Sequence, residues 1–108
     1  MSDNKDKVVS TTEIVFNNMI GDNSIIMSLR SGGGIDENVY QETVTACKTM
    51  IPLLADQQYV PKKLAQCFVD VSNSVYSSEE LYTQEVFERF EDMAHELNYL
   101  GQELFTSK

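Results

Sequence analysis

The C-terminal third of the chain carries one apolar stripe at helical spacing. Large apolar side chains recur there at intervals of three or four residues: Val86, Phe90, Met93, Leu97, Leu100 and Leu104. This spacing marks one face of an α-helix, because a helical turn contains about 3.6 residues. Residues 78–106 are therefore predicted to form one long helix that buries this face against the rest of the protein.

The N-terminal part of the chain predicts a tail followed by a helix. Residues 1–9 begin with the polar and charged run MSDNKDK, which is typical of a flexible tail. Ser10 followed by Glu13 has the form of a capping box and precedes an apolar run. We favour one helix over 11–30, with a kink at Gly21, over the alternative of two short helices that break at Gly21, Asp22 and Asn23.

Two more segments repeat the helical spacing, and a second capping box follows them. Apolar residues at intervals of three and four predict helices over 36–55 and 61–76. Ser77 followed by Glu80 then predicts the start of the long helix over 78–106. Four helices joined by short turns favour an all-α, antiparallel four-helix bundle with a long acidic C-terminal helix.

Length and composition are those of one globular domain. The chain has 108 residues, of which 42% are apolar and 23% charged, and these fractions are near the averages for globular proteins. A chain of this size can bury one hydrophobic core without a metal ion or a disulfide. We therefore expect a single helical-bundle domain over 10–108.

The charge of the chain is strongly negative. Seventeen acidic residues against eight basic ones give a net charge of −9, which repels nucleic-acid phosphates and anionic membranes. No apolar run approaches the roughly 18 residues of a membrane span, and the first residues lack the apolar core of a signal peptide. These patterns predict a cytoplasmic protein that binds neither nucleic acid nor a membrane.

No catalytic or metal-binding motif emerges from the sequence. His95 is the single histidine, and on a helical wheel it falls opposite the apolar stripe, where it faces water. The glycine run of residues 31–34 lacks the Lys-Ser or Lys-Thr of a phosphate-binding loop. Cys47 and Cys67 lie at apolar positions and are expected to be buried free thiols. The sequence therefore predicts no enzyme, no cofactor and no metal.

One surface of the last predicted helix combines acids with an aromatic residue. The helical wheel places Tyr99 among carboxylates, and tyrosine is common among the residues that dominate interface energies. Alternatively, Tyr99 packs beneath another helix or in a homodimer interface. The candidate partner-binding residues are Glu85, Glu88, Asp92, Glu96, Tyr99 and Glu103.

These patterns lead to two functional hypotheses. The first is a non-enzymatic protein-binding module that docks on a basic partner surface, such as an acidic inhibitor or immunity protein, or a secretion chaperone. Its partner could be a toxin or a nuclease, and the carboxylates would then imitate the phosphates that such a partner binds. The alternative is a self-associating structural bundle, a homodimer sealed by Phe87 and Phe105. The general layout is similar to that of small acidic immunity proteins, in fold and charge alone.

Overall fold

The chain folds into α-helices joined by turns. A computed structural model describes residues 2–21 and 24–106, and within these ranges it contains no β-strand. The all-α fold class is therefore confirmed. The helices are α1 (Ser2–Met19), α2 (Ile25–Arg30), α3 (Glu37–Leu54), α4 (Lys62–Ser77) and α5 (Gln84–Phe105), and a 3₁₀ turn (Glu79–Leu81) precedes α5.

Helix α1 begins well before the predicted position. Its helical structure starts at Ser2, and its contacts with the core begin at residue 8, three residues before the predicted start. Val8 packs against the core, and the Thr12 hydroxyl donates a hydrogen bond to Met50 Sδ at 3.6 Å. The predicted start of this helix at residue 11 is therefore wrong, whereas the flexibility of residues 1–9 stays a prediction.

The first predicted helix is also divided in two. Helix α1 ends at Met19, and α2 begins after Ser24, whose Oγ accepts a hydrogen bond from the Met27 amide at 3.2 Å. A Cβ atom at Gly21 would lie 2.7 Å from the Asn17 carbonyl oxygen, so this tight turn requires glycine. The prediction of one continuous helix over 11–30 is therefore wrong; residues 22 and 23, which lie between the two helices, are outside the described residues.

Helices α3 and α4 lie close to their predicted positions. Asp36 caps α3 as expected, since its carboxylate accepts hydrogen bonds from the amides of Asn38 (2.8 Å) and Val39 (3.1 Å). Helix α3 continues through Pro52 to Leu54. The predicted ranges 36–55 and 61–76 are therefore accurate to about one residue at each end.

Helix α5 starts later than the second capping box predicts. The Ser77 and Ser78 hydroxyls donate to the Ser74 carbonyl at 3.3 and 2.7 Å, and thus cap the end of α4. The true N-cap of α5 is Thr83, whose Oγ1 accepts from the Val86 amide at 3.3 Å. A helix start at 78 is therefore wrong.

The apolar stripe of α5 is buried, with one exception. Val86 lies in the first turn of the helix and is 41% exposed. The other members of the stripe form part of the hydrophobic core: Phe90, Met93, Leu97, Leu100 and Leu104. The stripe therefore fixes which face of α5 points inwards.

The four long helices form a ring in which each helix contacts two neighbours. Helix α1 contacts α3 and α4, and α5 also contacts α3 and α4. Helices α1 and α3 run antiparallel, as the Asn18 to Glu42 hydrogen bond of 2.8 Å near one end and the Thr12 to Met50 contact near the other require. Helices α3 and α5 run parallel, so antiparallel packing does not extend to this pair.

Helices α4 and α5 run antiparallel and approach closely. The Phe68 and Phe105 rings meet edge to face with centroids 5.5 Å apart, and Tyr76 meets Phe87 in the same way at 6.2 Å. A Cβ atom at Gly101 would lie 2.9 Å from the Phe68 ring. The absence of a side chain at Gly101 therefore allows the two helices to pack at this point.

A single phenol connects the glycine segment to the start of α5. The Tyr82 hydroxyl donates to the Leu29 carbonyl at 2.8 Å and accepts from the Gly34 amide at 3.0 Å. Gly32 and Gly34 have φ angles of 84° and 77°, which only glycine adopts without strain. The Tyr82 ring packs edge to face on Phe90 with centroids 4.8 Å apart.

Candidate functional site

The candidate partner-binding surface lies on the outer side of α5, and we call it the α5 ridge (Glu85, Glu88, Asp92, Glu96, Tyr99 and Glu103). Glu85, Asp92 and Tyr99 follow one another at intervals of seven residues. Seven residues make about two helical turns, or roughly 10 Å. These three side chains therefore form a line along an exposed side of the helix.

Tyr99 is open to solvent. Its side chain is 62% exposed, so it is not covered by another helix of the described chain. Glu85, Glu88 and Asp92 are exposed as well, while Glu103 is half-buried. The structure thus brings an exposed aromatic ring together with exposed carboxylates, and the interpretation in which Tyr99 packs within its own chain is wrong.

Glu96 differs from the other acids of the α5 ridge because its carboxylate is hydrogen-bonded to a buried side chain. The hydroxyl of the buried Tyr40 donates a hydrogen bond to the Glu96 carboxylate. Burial raises the pKa of Tyr40 well above its ordinary value, and the bonded Glu96 carboxylate raises it further. This hydrogen bond fixes Glu96 against α3. The carboxylate therefore joins α5 to α3 and also contributes negative charge to the surface.

An ion pair lies beside this hydrogen bond. Arg89 contacts Glu37 through two nitrogen–oxygen distances of 3.2 Å, and its guanidinium lies 5.9 Å from the centroid of the Tyr40 ring. Sequence analysis missed this group of contacts. Its one signal was that Arg89 is the only basic residue within α5, and a lone cation in an acidic helix favours a paired role.

The rest of the α5 ridge makes few contacts within the protein. Gln84 donates a weak hydrogen bond to Glu88 at 3.4 Å. Across residues 2–21 and 24–106, Glu85, Asp92 and Tyr99 form no hydrogen bond, ion pair or ring contact. These three groups therefore stabilise no internal contact and are free to meet another molecule.

The described residues contain one histidine and a groove near the start of α3. His95 is exposed on α5, and no three His, Cys, Asp or Glu side chains among the residues placed by the structure could hold a metal ion together. A groove of about 530 Å³ lies between α2 and the start of α3. The acid that lines this groove, Asp36, is already the N-cap of α3.

The two cysteines are buried thiols, as predicted. Burial raises the pKa of both Cys47 and Cys67 to about 12, so neither forms a nucleophilic thiolate near neutral pH. The Cys67 thiol also donates to the Lys63 carbonyl at 3.2 Å. Both side chains therefore act as packing groups.

Comparisons with known proteins add no relative. The chain matches no protein-family model, no curated protein and no solved structure at a significant level. Separately, no helix among the described residues is long and apolar enough to cross a membrane.

Proposed function

We propose that this protein is a non-enzymatic protein-binding module, and that the α5 ridge docks on a basic surface of its partner. The observation that carries the proposal is Tyr99, an aromatic side chain that is 62% exposed and has no hydrogen bond or ring contact among the described residues. Exposing such a ring to water gives no benefit to folding, whereas burying it in an interface is favourable. The carboxylates beside it would accelerate association with a positively charged partner.

The proposed scaffold is a four-helix bundle made of α1, α3, α4 and α5, with α5 as its acidic C-terminal helix. Support comes from the contacts of α1 and α5, each with both α3 and α4. In this arrangement α5 is held from two sides and presents its third side as a rigid surface. A rigid surface loses little conformational entropy on binding.

The proposed partner is a protein with a basic, phosphate-binding or otherwise cationic surface, such as a toxin or a nuclease. In that role the chain would act as an inhibitor or immunity protein, or as a secretion chaperone. The net charge of −9 argues against direct binding to nucleic acid or to anionic lipid. Two free, buried thiols suit the cytoplasm, which we propose as the compartment.

Substitution of Tyr99 tests the proposal. The chain is immobilised as bait in a lysate of its source cell, a captured protein is purified, and its affinity is measured at low salt. We expect Tyr99→Ala to weaken this affinity by more than about 1 kcal/mol, with an unchanged melting temperature. Tyr59→Ala is the matched control, because Tyr59 is 86% exposed but lies outside α5. Equal affinities for wild type and both variants would contradict the proposal.

Charge reversal tests the electrostatic part separately. Glu85→Lys and Asp92→Lys change exposed carboxylates that have no hydrogen bond or ion pair among the described residues. Reversing Glu96 would also break its bond to Tyr40. We expect the double reversal mainly to slow association, and added salt to slow association of the wild type. An association rate that depends on neither charge nor salt would exclude a basic partner surface.

The alternative hypothesis is a structural homodimer sealed by Phe87 and Phe105. The described contacts weaken it, because Phe87 is buried against Tyr76 of its own chain. Phe105 is 39% exposed and packs on Phe68. A solution mass of twice 12.2 kDa at micromolar concentration, lowered by Phe105→Ser, would favour this alternative over the binding module.

A further inference from the structure

An apolar groove opens where the start of α1 passes the connection between α3 and α4. It has a volume of about 470 Å³, and its apolar lining includes Val8, Leu53, Val60 and Pro61. Tyr59, also in the lining, is 86% exposed. This end of the molecule therefore leaves apolar surface open to water, which is typical of a contact site.

The residues that border the groove are less acidic than the chain as a whole. The segments 5–13 and 53–63, which border it, contain four lysines against three acids, whereas the whole chain has a net charge of −9. Lys5 lines the groove, and Lys62 directly follows the lining residue Pro61. Both lysines are exposed, and neither has an ion pair among the residues described. A complementary occupant must be apolar and carry carboxylates.

The chain itself presents such a group near the other end of α4. In the 3₁₀ turn, Leu81 is 53% exposed and directly follows two exposed acids, Glu79 and Glu80. An apolar side chain beside two carboxylates matches the groove in both hydrophobicity and charge. The turn is also held in place, because the next residue, Tyr82, is bonded to Leu29 and Gly34.

One copy cannot fill its own groove with its own turn. Helix α4 begins directly after Pro61 and ends just before the turn, and its 16 residues separate the two sites by roughly 24 Å. We propose that the Glu79–Leu81 turn of one copy docks in the apolar groove of a second copy. Such a contact joins different surfaces of the two copies, so every dimer keeps one free turn and one free groove and can add further copies.

This contact uses none of the residues of the α5 ridge. It is small, because one leucine and two carboxylates enter a single groove, so the association should be weak and dependent on concentration. Two copies of net charge −9 repel each other when salt is low. Physiological salt screens this long-range repulsion more than the short-range attraction of Lys5 and Lys62 to the acids of the turn. The proposed function and this self-association can therefore succeed or fail independently.

Sedimentation velocity of the purified chain tests the proposal directly. At physiological salt, we expect the average mass to rise above the chain mass of 12.2 kDa as the concentration approaches about 1 mM, the range of weak contacts. Leu81→Ser, and separately the double variant Lys5→Glu with Tyr59→Ser, should each stay monomeric. Val69→Ser, which removes an apolar side chain that is 68% exposed on α4, should associate as the wild type does.

Mixing the two monomeric variants separates this contact from a symmetric dimer. The Leu81→Ser copy keeps its groove, and the double variant keeps its turn, so an equal mixture should form dimers of twice the chain mass and nothing larger. Tyr99→Ala should self-associate like the wild type. A wild type that stays monomeric, association that survives either set of changes, or a mixture without dimers would each overturn the proposal.

Discussion

At the scale of single residues, Cys47 and Cys67 place two ionisable groups in the hydrophobic core. Both side chains are fully buried, and burial raises the pKa of each thiol from about 9 to about 12. Between these values the folded protein keeps both protons, while the unfolded chain loses them. Unfolding therefore releases protons in this range, and rising pH favours the unfolded state.

This proton release predicts a decline of stability in alkali. The thiols contribute their full stabilisation below about pH 9, and each should lower the free energy of unfolding by about 1.4 kcal/mol per pH unit above that value. Urea unfolding at several pH values, with a reductant present, measures the slope. Cys47→Ala should remove one thiol's share of it, and an unchanged slope in this variant would show that the Cys47 thiol does not titrate as described.

At the scale of secondary-structure elements, α5 offers two positions of the same apolar stripe with opposite surroundings. Leu97 is 1% exposed, whereas Val86 is 41% exposed in the first turn. Truncating a fully buried leucine removes apolar contacts and leaves a cavity. Truncating an exposed valine at a helix end removes little.

These surroundings predict different costs for two similar substitutions. Leu97→Ala should lower the free energy of unfolding by about 2 to 5 kcal/mol. Val86→Ala, as the control, should change it by less than about 0.5 kcal/mol. Chemical denaturation of both variants gives these values, and equal costs would mean that the helix does not pack as described.

The interiors of the long helices could be predicted from the sequence, but several of their ends could not. Apolar spacing depends on the chain alone, so it located the centres of α3, α4 and α5. The helix starts predicted from Ser10 and Ser77 were wrong because a serine hydroxyl has two possible roles. It can accept from an amide ahead, as an N-cap does, or donate to a carbonyl three residues back. Ser10 donates to the Lys7 carbonyl at 3.2 Å, inside α1. Thr83, without an acid three residues later, caps α5 instead.

For the candidate site, the sequence predicted which residues of α5 face solvent but not which of them contact other helices. A helical wheel needs only the sequence of α5, and it correctly placed Tyr99 and Asp92 on the solvent side. It could not predict the bond between Glu96 and Tyr40, because these residues are 56 positions apart and meet only when α3 packs on α5. Which acids are free and which are used inside the protein therefore depends on the tertiary structure.

At the scale of the whole molecule, negative charge is concentrated along α5 at a cost to folding. Asp92 lies four residues from both Glu88 and Glu96, and like charges at this spacing destabilise a helix. The carboxylates proposed to bind a partner thus repel one another in its absence. Such a conflict between stability and binding is common at functional surfaces.

Neutralising the central acid should separate stability from binding. We expect Asp92→Asn to raise the free energy of unfolding by about 0.5 kcal/mol at low salt, because two like-charge pairs are lost. The same change should weaken partner binding. Asp56→Asn removes an equal charge from an exposed turn outside α5 and is the control for net charge. Equal stabilisation by both variants would assign the effect to net charge alone.

The hydroxyl of Tyr82 makes the Gly34 amide a reporter of distant structure. This amide has the Tyr82 oxygen as its hydrogen-bond acceptor, 48 residues further along the chain. In hydrogen-exchange measurements we expect the Gly34 amide to be protected in the wild type and to exchange rapidly in Tyr82→Phe, which keeps the ring but removes the acceptor. Tyr76→Phe is the control, because Tyr76 makes a ring contact but does not bond to Gly34. Protection that persists in Tyr82→Phe would mean that another group shields the amide.

The same hydroxyl leads to a prediction about folding. In the native structure the glycine segment between α2 and α3 is bonded to Tyr82, so we expect it to reach its final conformation only when the chain as far as Tyr82 has docked. The Gly34 amide should therefore become protected late, together with α5, although it lies in the N-terminal half of the sequence. Its exchange rate in the native state would then measure the free energy with which the start of α5 detaches from the rest of the protein.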